Sequence, residues 1–398
     1  MHVVMISKAL VIGAYHTKLK HLAAQPGVEL TAIVPPSWRD ERGELKLERT
    51  TSDGYNLIVT PLRFNGNFHL HYYARLDRLL TQLKPDLVHI DEEPYNLATF
   101  LAMRSAQRLG ACTVFFSWQN LIRAYPPPFS WFERYTLRHA AAGIVGNADS
   151  VRVWRTKGYR GPLTVIPQVG VDPDLLKPLD RNRDFTTETV LQSNGRIPVS
   201  SAETSLLPDG RTPGSSTFVV GYAGRLVEEK GLDILLNALR DLGGEWQADL
   251  LGSGPDQPRL VELARRLHIA DRVRFLPWMP SAQIAGYYRS LDVLVLPSRS
   301  QSNWKEQFGR VLVDAMACGV PVIGSTCGEI PHVIGDAGLI FPEGDAAALC
   351  EHLRTLRSNR SLHRDLAQRG RQRVLDCFTQ EHIARQTYEV YQSVTCSA

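Results

Sequence analysis

The sequence predicts an α/β protein with two domains, each a doubly wound parallel sheet. Its 398 residues, 43% of them apolar, exceed what one hydrophobic core normally serves. Short apolar runs of strand length alternate with longer amphipathic stretches, which is the order of a sheet with helices on both faces. We therefore expect one sheet-and-helix domain in each half of the chain.

The first domain is expected to span residues 1–178. It contains apolar runs of four to six residues, with helical periodicity in the longer stretches between them. The predicted strands are residues 3–6, 30–34, 87–90, 113–116, 143–146 and 164–166, and the predicted helices include 76–82 and 97–109.

A polar segment, residues 179–217, separates the two domains. It is rich in Gly, Pro, Ser and Thr and has turn signals at 193–195 and 208–210. It has too few apolar groups to offset an ordering entropy of roughly 1–2 kcal/mol per residue. We expect an interdomain linker with a mobile insertion at about 181–216, where proteases cut first.

The second domain is expected over residues 218–378 and carries two cations after its first strand. Residues 218–224 have the composition of a buried strand, and leucines from Leu232 onward recur at helical spacing. Arg225 and Lys230 lie on the turn between them, at the carboxyl end of a parallel strand, where open α/β sheets bind ligands. In isolation they would be read as a solvated pair, whereas on this turn they suit a diphosphate.

A second block of the same domain combines two acids with the start of a helix. Glu306 precedes an apolar helix that carries Asp314, eight positions further on. The backbone N–H groups of Phe308, Gly309 and Arg310 are expected to be orphan donors at this helix start, suited to a phosphate or an electronegative sugar. Surface positions for both acids are the simpler alternative, but an unpaired carboxylate in an apolar helix would be costly.

Together the two blocks resemble the retaining nucleotide-sugar glycosyltransferases of family four, which have the two-domain GT-B fold. The matching text is G-Y-A-G-R-L-V-E-E-K-G-L-D at 221–233 and E-Q-F-G-R-V-L-V-D-A-M-A-C-G-V-P-V-I at 306–323, with looser matches at 86–94 and 165–172. The resemblance implies two Rossmann-like domains that face a cleft. It also implies that a C-terminal helix, within residues 379–398, crosses back to the first domain.

The resemblance also implies roles for individual residues. Arg225 and Lys230 would hold the donor pyrophosphate, Glu306 would bind the donor sugar, and the ribose would hydrogen-bond Asp314. The expected catalytic residues are Arg225, Lys230 and Glu306. The expected donor-binding residues are Gly13, Met279, Phe308, Gly309, Arg310, Val311 and Asp314.

The chain departs from the family pattern at two places. Asp314 stands where the family usually has Glu; it is shorter by one methylene but is able to accept the same pair of hydroxyls. The text F-F-S-W-Q-N at 115–120 has no histidine where many members carry one. A catalytic histidine from the first domain is therefore not expected, and catalysis is expected to depend on groups on the donor side.

On the acceptor side, the candidates are His16, His89 and Glu92. His89 and Glu92 lie at or near the carboxyl end of a predicted strand, where they would line an acceptor cleft, although ordinary loop polar residues are the alternative. No His-Glu-x-x-His or Asp-x-Asp motif is present. We therefore expect no metal cofactor, because two cations and a helix dipole can neutralise the diphosphate.

The expected reaction is transfer of a hexosyl-type group from a nucleoside diphosphate sugar to an acceptor hydroxyl, with retention at the anomeric carbon. Two alternatives remain open: a sugar-nucleotide epimerase with the GT-B fold, which needs no acceptor, and a non-catalytic nucleotide-sugar-binding protein. The acceptor is expected to be a glycan, a lipid-linked sugar or a small molecule. The nucleotide base and the sugar stay open.

Composition limits the other classes of function. A net charge of +4 is too small for a nucleic-acid-binding protein. The six cysteines have no Cys-x-x-Cys spacing, so neither a zinc site nor a disulfide framework is expected. Residues 1–15 lack a basic leader and a cleavage-like site, and no window is apolar enough to span a bilayer. These features favour a cytoplasmic location.

One basic, aromatic segment leaves the cellular location partly open. Residues 101–165 contain nine Lys or Arg against two acids, together with aromatic residues between 118 and 135. The aromatic rings are expected to pack in the domain core, with the arginines in solvent. The alternative is a peripheral membrane contact, at the inner membrane face, with a lipid-linked acceptor.

Overall fold

The structure, a computed structural model, describes residues 1–40, 43–48, 54–178, 217–279 and 281–395. The predicted insertion at 181–216 lies outside the described residues. The chain forms two compact units. The first unit comprises Met1–Asp172, Ser302–Phe308 and Asp376–Ala398, and the second comprises Pro173–Gln301 and Gly309–Leu375.

The first unit is built on a seven-stranded parallel sheet. The strands of the first unit, including those outside this sheet, are β1 (His2–Ile6), β2 (Glu29–Val34), β3 (Ser37–Asp40), β4 (Gly43–Lys46), β5 (Asn56–Val59), β6 (Leu62–Arg63), β7 (Tyr72–Tyr73), β8 (Leu87–Ile90), β9 (Cys112–Ser117), β10 (Ala142–Val145) and β11 (Leu163–Val165). The sheet order is β11-β10-β9-β8-β1-β2-β5, and the pairs β3–β4 and β6–β7 form two small antiparallel ribbons.

Helices cover both faces of this sheet. They are α1 (His16–Ala23), α2 (Leu76–Leu83), α3 (Leu97–Arg108), α4 (Phe129–His139) and α5 (Ala148–Thr156). The alternation of β1 shows the two faces: Val3 and Met5 belong to one core cluster, while Val4 and Ile6 belong to another. The predicted strands and helices of this half are present, with bounds that differ by at most one residue.

The second unit contains a six-stranded parallel sheet with the order β14-β13-β12-β15-β16-β17. Its strands are β12 (Phe218–Ala223), β13 (Trp246–Leu251), β14 (Val273–Leu276), β15 (Val293–Leu296), β16 (Val322–Ser325) and β17 (Leu339–Phe341). Its helices are α6 (Leu232–Arg240), α7 (Gln257–Arg266), α8 (Ser281–Arg289), α9 (Arg310–Ala317), α10 (Ile330–Ile334), α11 (Ala346–Ser358) and α12 (Arg360–Cys377).

The last helix, α13 (Gln380–Thr395), returns to the first unit. It packs on α1, and Ile383, Ala384 and Tyr391 join the core cluster that contains Val3 and Met5. The fold class predicted from the sequence is thereby confirmed: two doubly wound parallel sheets, with a C-terminal helix that belongs to the first.

Candidate functional site

The second sheet changes direction between β12 and β15. From β12 the chain builds outward through β13 and β14, and then returns to place β15 on the other side of β12. In open α/β sheets, ligands bind outside the carboxyl ends of the strands at such a switch point. The turn that follows β12 carries Arg225 and Lys230.

This turn is fixed by close backbone contacts. Gly231 has a φ of +65°, and a Cβ there would lie 2.1 Å from the carbonyl oxygen of Pro297. The Tyr222 hydroxyl donates a hydrogen bond of 2.7 Å to the carbonyl oxygen of Arg225. A side chain at position 231 would therefore displace the turn from the end of β15.

The two predicted cations differ in exposure. Arg225 has 47% of its side chain exposed, and its guanidinium lies 3.5 Å from the Glu229 carboxylate. Lys230 is half-buried and ends the 3₁₀ turn Glu228–Lys230, which leads into α6 through Gly231. Both side chains thus lie on a backbone whose position is set by the sheet below.

Arg299 supports the same turn and was missed by sequence reasoning as a site residue. Its backbone N–H donates to the Glu229 carbonyl oxygen at 2.9 Å, and its guanidinium lies 3.1 Å from Asp233 and 3.6 Å from Glu228. The signal in the sequence is a lone arginine shortly after a buried strand, but its partners, about 70 positions earlier, could not be read from spacing.

The helix predicted to bind the donor begins at Arg310. Gly309, its N-cap, has a φ of +80° and no side chain with which to cap the first backbone N–H groups. Val311 and Met279 are both half-buried; Val311 is the second residue of α9, and Met279 follows the end of β14.

Asp314 lies on the buried side of α9. It is 9% exposed, and its Oδ1 atom lies 3.5 Å from Arg310 Nε but makes no hydrogen bond. Burial raises the pKa of the Asp314 carboxyl, while Arg310 and the Tyr288 hydroxyl oppose that rise. A buried carboxylate oxygen without a hydrogen bond is costly, and a ligand hydroxyl would satisfy it.

The segment Ser302–Phe308 belongs to the first unit. Glu306 is 8% exposed, and Asn120 Nδ2 donates to its carbonyl oxygen at 3.3 Å. The Phe308 ring lies 5.8 Å from the Trp118 ring, and Gln307 Nε2 donates to the Trp118 carbonyl oxygen at 3.0 Å. The structure thus brings the predicted Glu306 and Phe308 to the segment that lacks the family histidine.

A cavity of about 270 Å³ lies in the first unit, at the carboxyl ends of β1 and β8. These strands flank the switch point of their sheet, since β2 continues on one side of β1 and β8 lies on the other. The residues that supply its charge and its aromatic surface include Lys8, Trp38, Asp91, Glu92, Glu93 and Trp118. Of the predicted acceptor-side residues, Glu92 lines this cavity.

Two successive acids of this cavity, Glu92 and Glu93, have different surroundings. Burial alone would raise the pKa of Glu92, but the adjacent Lys8 ammonium and the His71 ring lower it to about 2. Burial raises the pKa of Glu93 to about 7, despite hydrogen bonds donated by Ser117 Oγ at 2.6 Å and the Trp118 N–H at 2.7 Å. The Glu93 carboxyl therefore has a pKa near neutral pH.

The two histidines predicted on the acceptor side do not line this cavity. His89 is fully buried within β8, and its Nδ1 atom lies 2.6 Å from the Tyr391 hydroxyl of α13. His16 is 1% exposed and contacts the Leu10 carbonyl oxygen at 2.7 Å through Nε2. Both belong to the core, so we drop them from the proposed acceptor site.

Gly13 also has a structural contact. It begins the 3₁₀ turn Gly13–Tyr15 and donates its N–H to Glu48 at 2.7 Å. Its neighbours Ile12 and Tyr15 line the cavity, so the loop after β1 reaches the predicted region through these residues.

Two family models match the chain. The model described as glycosyl transferases group 1 covers residues 211–373, and the glycosyl transferase 4-like domain covers residues 12–168. The chain belongs to the family-four glycosyltransferases with the GT-B fold. The resemblance recognised in the motifs of the second domain is thereby confirmed and extends over the first domain.

Individual proteins agree with this assignment. The chain is 37% identical over 147 residues to N-acetyl-alpha-D-glucosaminyl L-malate synthase of Bacillus anthracis, covering 36% of this chain and 37% of the relative. It is 30% identical over 262 residues to D-inositol 3-phosphate glycosyltransferase of Streptomyces bingchenggensis, covering 62% and 53%. The matches thus span about half or less of these relatives.

A solved structure supports the fold over the whole chain. HepE of Anabaena, in complex with UDP, superposes with a TM-score of 0.69 at 17% identity, covering 98% of this chain and 99% of HepE. At this identity the likeness concerns the fold.

Two further observations concern metals and membranes. Within the described ranges, no group of three or more His, Cys, Asp or Glu side chains is arranged to hold a metal ion. Of the helices in the described part of the chain, none combines the length and apolarity needed to cross a bilayer. The expectation of a metal-free site stays a prediction.

Proposed function

We propose that this glycosyltransferase family member moves a sugar from a nucleoside diphosphate sugar to an acceptor hydroxyl, with retention at the anomeric carbon. The observation that carries the proposal is the turn after β12. It holds Arg225 and Lys230 at the switch point of the second sheet, on a backbone fixed by Gly231. Two cations at this place suit a diphosphate.

Arg225 and Lys230 would act on the leaving group. As the bond from the anomeric carbon to the diphosphate breaks, negative charge grows on the phosphate oxygens, and cations held near them bind the transition state more tightly than the ground state. The start of α9, which has no side-chain cap, adds its first backbone N–H groups and the positive end of its dipole.

The two predicted acids, Asp314 and Glu306, would bind the ribose and the sugar of the nucleotide-sugar donor. The Oδ1 atom of Asp314 is buried and makes no hydrogen bond. It would accept a hydrogen bond from a ribose hydroxyl. Glu306 lies three residues before Gly309, the N-cap of α9, so the chain holds its backbone within about 11 Å of Gly309. We propose that the Glu306 carboxylate orients the donor sugar.

The proposed transfer proceeds on one face of the sugar. The acceptor oxygen bonds to the anomeric carbon on the side from which the diphosphate departs, and its proton passes to the departing phosphate. This route requires no protein nucleophile and no histidine at 115–120. We further propose that no metal is needed, because protein cations neutralise the diphosphate.

A nucleotide screen followed by a transfer assay tests this proposal. A thermal-shift screen across UDP, GDP, ADP and TDP identifies the base. A ligand at a hundred times its dissociation constant adds about 2.7 kcal/mol to the free energy of unfolding. UDP is the first choice, because HepE, of the same fold, was solved with it. The matching UDP-sugar should then glycosylate an acceptor with retained configuration, and EDTA should leave the rate unchanged. Conversion of the donor alone to an epimer, or activity that needs added manganese, would contradict the proposal.

The two acids should separate kinetically. We expect Glu306→Gln to lower kcat with little change in nucleotide affinity, because it acts on the sugar. Asp314→Asn should weaken nucleotide binding by about 10- to 100-fold, since it removes charge-assisted hydrogen bonds of about 1.5–3 kcal/mol to the ribose. Asp314→Glu should be nearly silent. Calorimetry with the nucleoside diphosphate and steady-state kinetics measure both effects. Equal losses of nucleotide affinity in E306Q and D314N would refute this division.

We also propose that the first unit contacts an anionic membrane, where a lipid-linked acceptor would be found. Trp131 is 58% exposed and Ile122 is 61% exposed, with Arg134 and Arg138 exposed on the same helix as Trp131. Other rings of the segment, such as Tyr125, pack against the core. Exposed apolar residues beside arginines suit the headgroup region of a bilayer.

Liposome co-sedimentation tests the membrane contact. We expect binding to anionic vesicles at low salt, weaker binding at high salt, and little binding to neutral vesicles. W131A should reduce binding severalfold, whereas W278A, at a tryptophan 66% exposed in the second unit, should not. Absence of binding to anionic vesicles at low salt would instead indicate a soluble acceptor.

A further inference from the structure

The lining of the first-unit cavity indicates which chemical class of acceptor it takes. Its volume of about 270 Å³ lies just below the usual range for small-molecule sites, roughly 300–1,000 Å³, and suits a small ligand. Aromatic rings form part of its wall, and the other lining residues include four acids and four aliphatic residues. Aromatic rings favour the apolar face of a ligand, and carboxylates favour its hydroxyl groups.

Trp118 provides a rigid apolar wall. A Cβ on Gly146 would lie 2.1 Å from the Trp118 ring, so the ring packs directly against the glycine backbone. The indole N–H donates to Gln168 Oε1 at 3.0 Å. The Phe116 ring packs edge-on against the indole, with 5.4 Å between the ring centroids. An aromatic face fixed in this way attracts the C–H groups on one face of a sugar ring, because the face of the ring carries the negative part of its quadrupole.

The charge of the cavity disfavours an anionic ligand. Among the described lining residues, Lys8 is the single basic residue, against the carboxyls of Asp40, Asp91, Glu92 and Glu93. Of these, Glu93 is only partly ionised near neutral pH, because burial raises its pKa to about 7. The Lys8 ammonium is already engaged, since it forms an ion pair with Glu92 and lies over the rings of Trp38 and Phe68, at 5.3 and 4.9 Å from their centroids. A carboxylate or phosphate entering here would meet acids without an uncommitted cation among these residues.

Asp91 supplies a hydroxyl-binding atom. It is 6% exposed, and its Oδ2 atom accepts hydrogen bonds from Ser7 Oγ at 2.6 Å and Gln168 Nε2 at 3.0 Å. Gln168 is itself oriented by the Trp118 indole, so the aromatic wall and the carboxylate are held by one side chain. The Oδ1 atom is buried and accepts no hydrogen bond. A buried carboxylate oxygen is normally satisfied, and a sugar hydroxyl is a donor that fits.

We propose that this cavity binds a neutral pyranoside as the acceptor unit, with a hydroxyl donating to Asp91 Oδ1 and a C–H face against Trp118, and that it rejects acceptors with a carboxylate or phosphate on that ring. The proposal rests on the function proposed above, since it names the acceptor class of the same reaction. It predicts that specificity is decided by the charge of the acceptor.

Matched pairs of methyl glycosides test this inference on the full chain. Each pair consists of a methyl hexoside, in the gluco, galacto or manno configuration, and the corresponding methyl hexuronide, which differs in one carboxylate. Ligand-observed NMR titrations without donor give a Kd for each. We expect at least one hexoside to bind and its uronide to bind at least tenfold more weakly. A uronide that binds as tightly as its hexoside, or absence of binding by every hexoside, would overturn the proposal.

Two variants locate the binding. D91N should weaken binding of the preferred hexoside at least fivefold and narrow its advantage over the uronide, because the repulsive charge is removed. D77N is the matched control: it removes the same charge from an exposed residue of α2 that pairs with Arg108, and it should bind like the unaltered chain. An unchanged Kd in folded D91N would refute the role of Asp91. Should D91N fail to fold, the comparison of hexoside and uronide on the unaltered chain still decides the class.

A nucleotide titration in the same preparation separates this inference from the proposed function. Nucleotide binding without hexoside binding would leave the donor site intact and refute the acceptor class. Hexoside binding without any nucleotide binding would refute the transferase and keep a neutral-sugar site.

Discussion

Replacing Arg225 or Lys230 by alanine should lower the affinity for nucleoside diphosphate by about 10- to 100-fold and lower transfer at least as much. Each change removes a charge-assisted contact of about 1.5–3 kcal/mol from the diphosphate. The loss in kcat should exceed the loss in donor affinity, because the contact strengthens as the phosphate departs. Calorimetry with the diphosphate and steady-state kinetics with the nucleotide sugar measure the two effects.

The appropriate control is R240A. Arg240 is 48% exposed at the end of α6 and pairs with its neighbour Asp241, so its removal changes net charge equally without touching the turn. The melting temperatures of R225A and K230A should stay close to that of the unaltered chain, since both residues lie on an exposed or half-buried turn. Diphosphate affinities equal to those of R240A would rule out the proposed clamp.

Replacing Glu93 by glutamine should make the protein relatively more stable as pH rises from about 5 to 8. The pKa of Glu93 is raised from 4.5 to about 7 by burial. Between about pH 4.5 and 7 the unfolded chain has lost the Glu93 proton while the folded chain retains it. The contribution of a protonated Glu93 is therefore fully present below pH 4.5 and is lost as pH rises through about 7. The full loss corresponds to about 3 kcal/mol.

Glutamine keeps a neutral side chain at every pH, so E93Q should not suffer this loss. The difference in free energy of unfolding between E93Q and the unaltered chain should therefore shift in favour of E93Q with rising pH, as measured by urea denaturation at several pH values. E29Q, at an exposed position at the start of β2, is the matched control for the loss of one carboxylate. A pH-independent difference for E93Q would show that the carboxyl is already ionised at pH 5.

The sequence alone predicted the alternation of strands and helices and the two motifs of the donor side, but not the strands β3 to β7. Their positions follow from local periodicity and from glycine signals, which act within a few residues. The strand over 87–90 and the helix that carries Asp314 were both predicted in this way. The family assignment followed from the same motifs, because Arg225, Lys230 and Glu306 stand at fixed positions relative to these elements.

The tertiary structure decided which side chains line a cavity. His89 and Glu92 are three positions apart and were equally plausible on the acceptor side. The structure buries His89 against Tyr391, 302 residues away in the chain, whereas Glu92 follows the strand end and reaches the cavity. Periodicity fixes that alternate residues of a strand share a face, but the helix that covers a face depends on long-range packing.

The same limit applies to the supporting contacts. Arg299 holds the β12 turn through partners about 70 positions earlier. The Oδ2 atom of Asp91 is bonded by Ser7, 84 positions earlier, and by Gln168, which leaves Oδ1 without a hydrogen bond. Hydrogen bonds between distant segments require the folded chain, since sequence spacing carries no information on which loops meet. The sequence therefore determined the fold and the donor motifs, and only the tertiary structure decided the acceptor cavity and its charge.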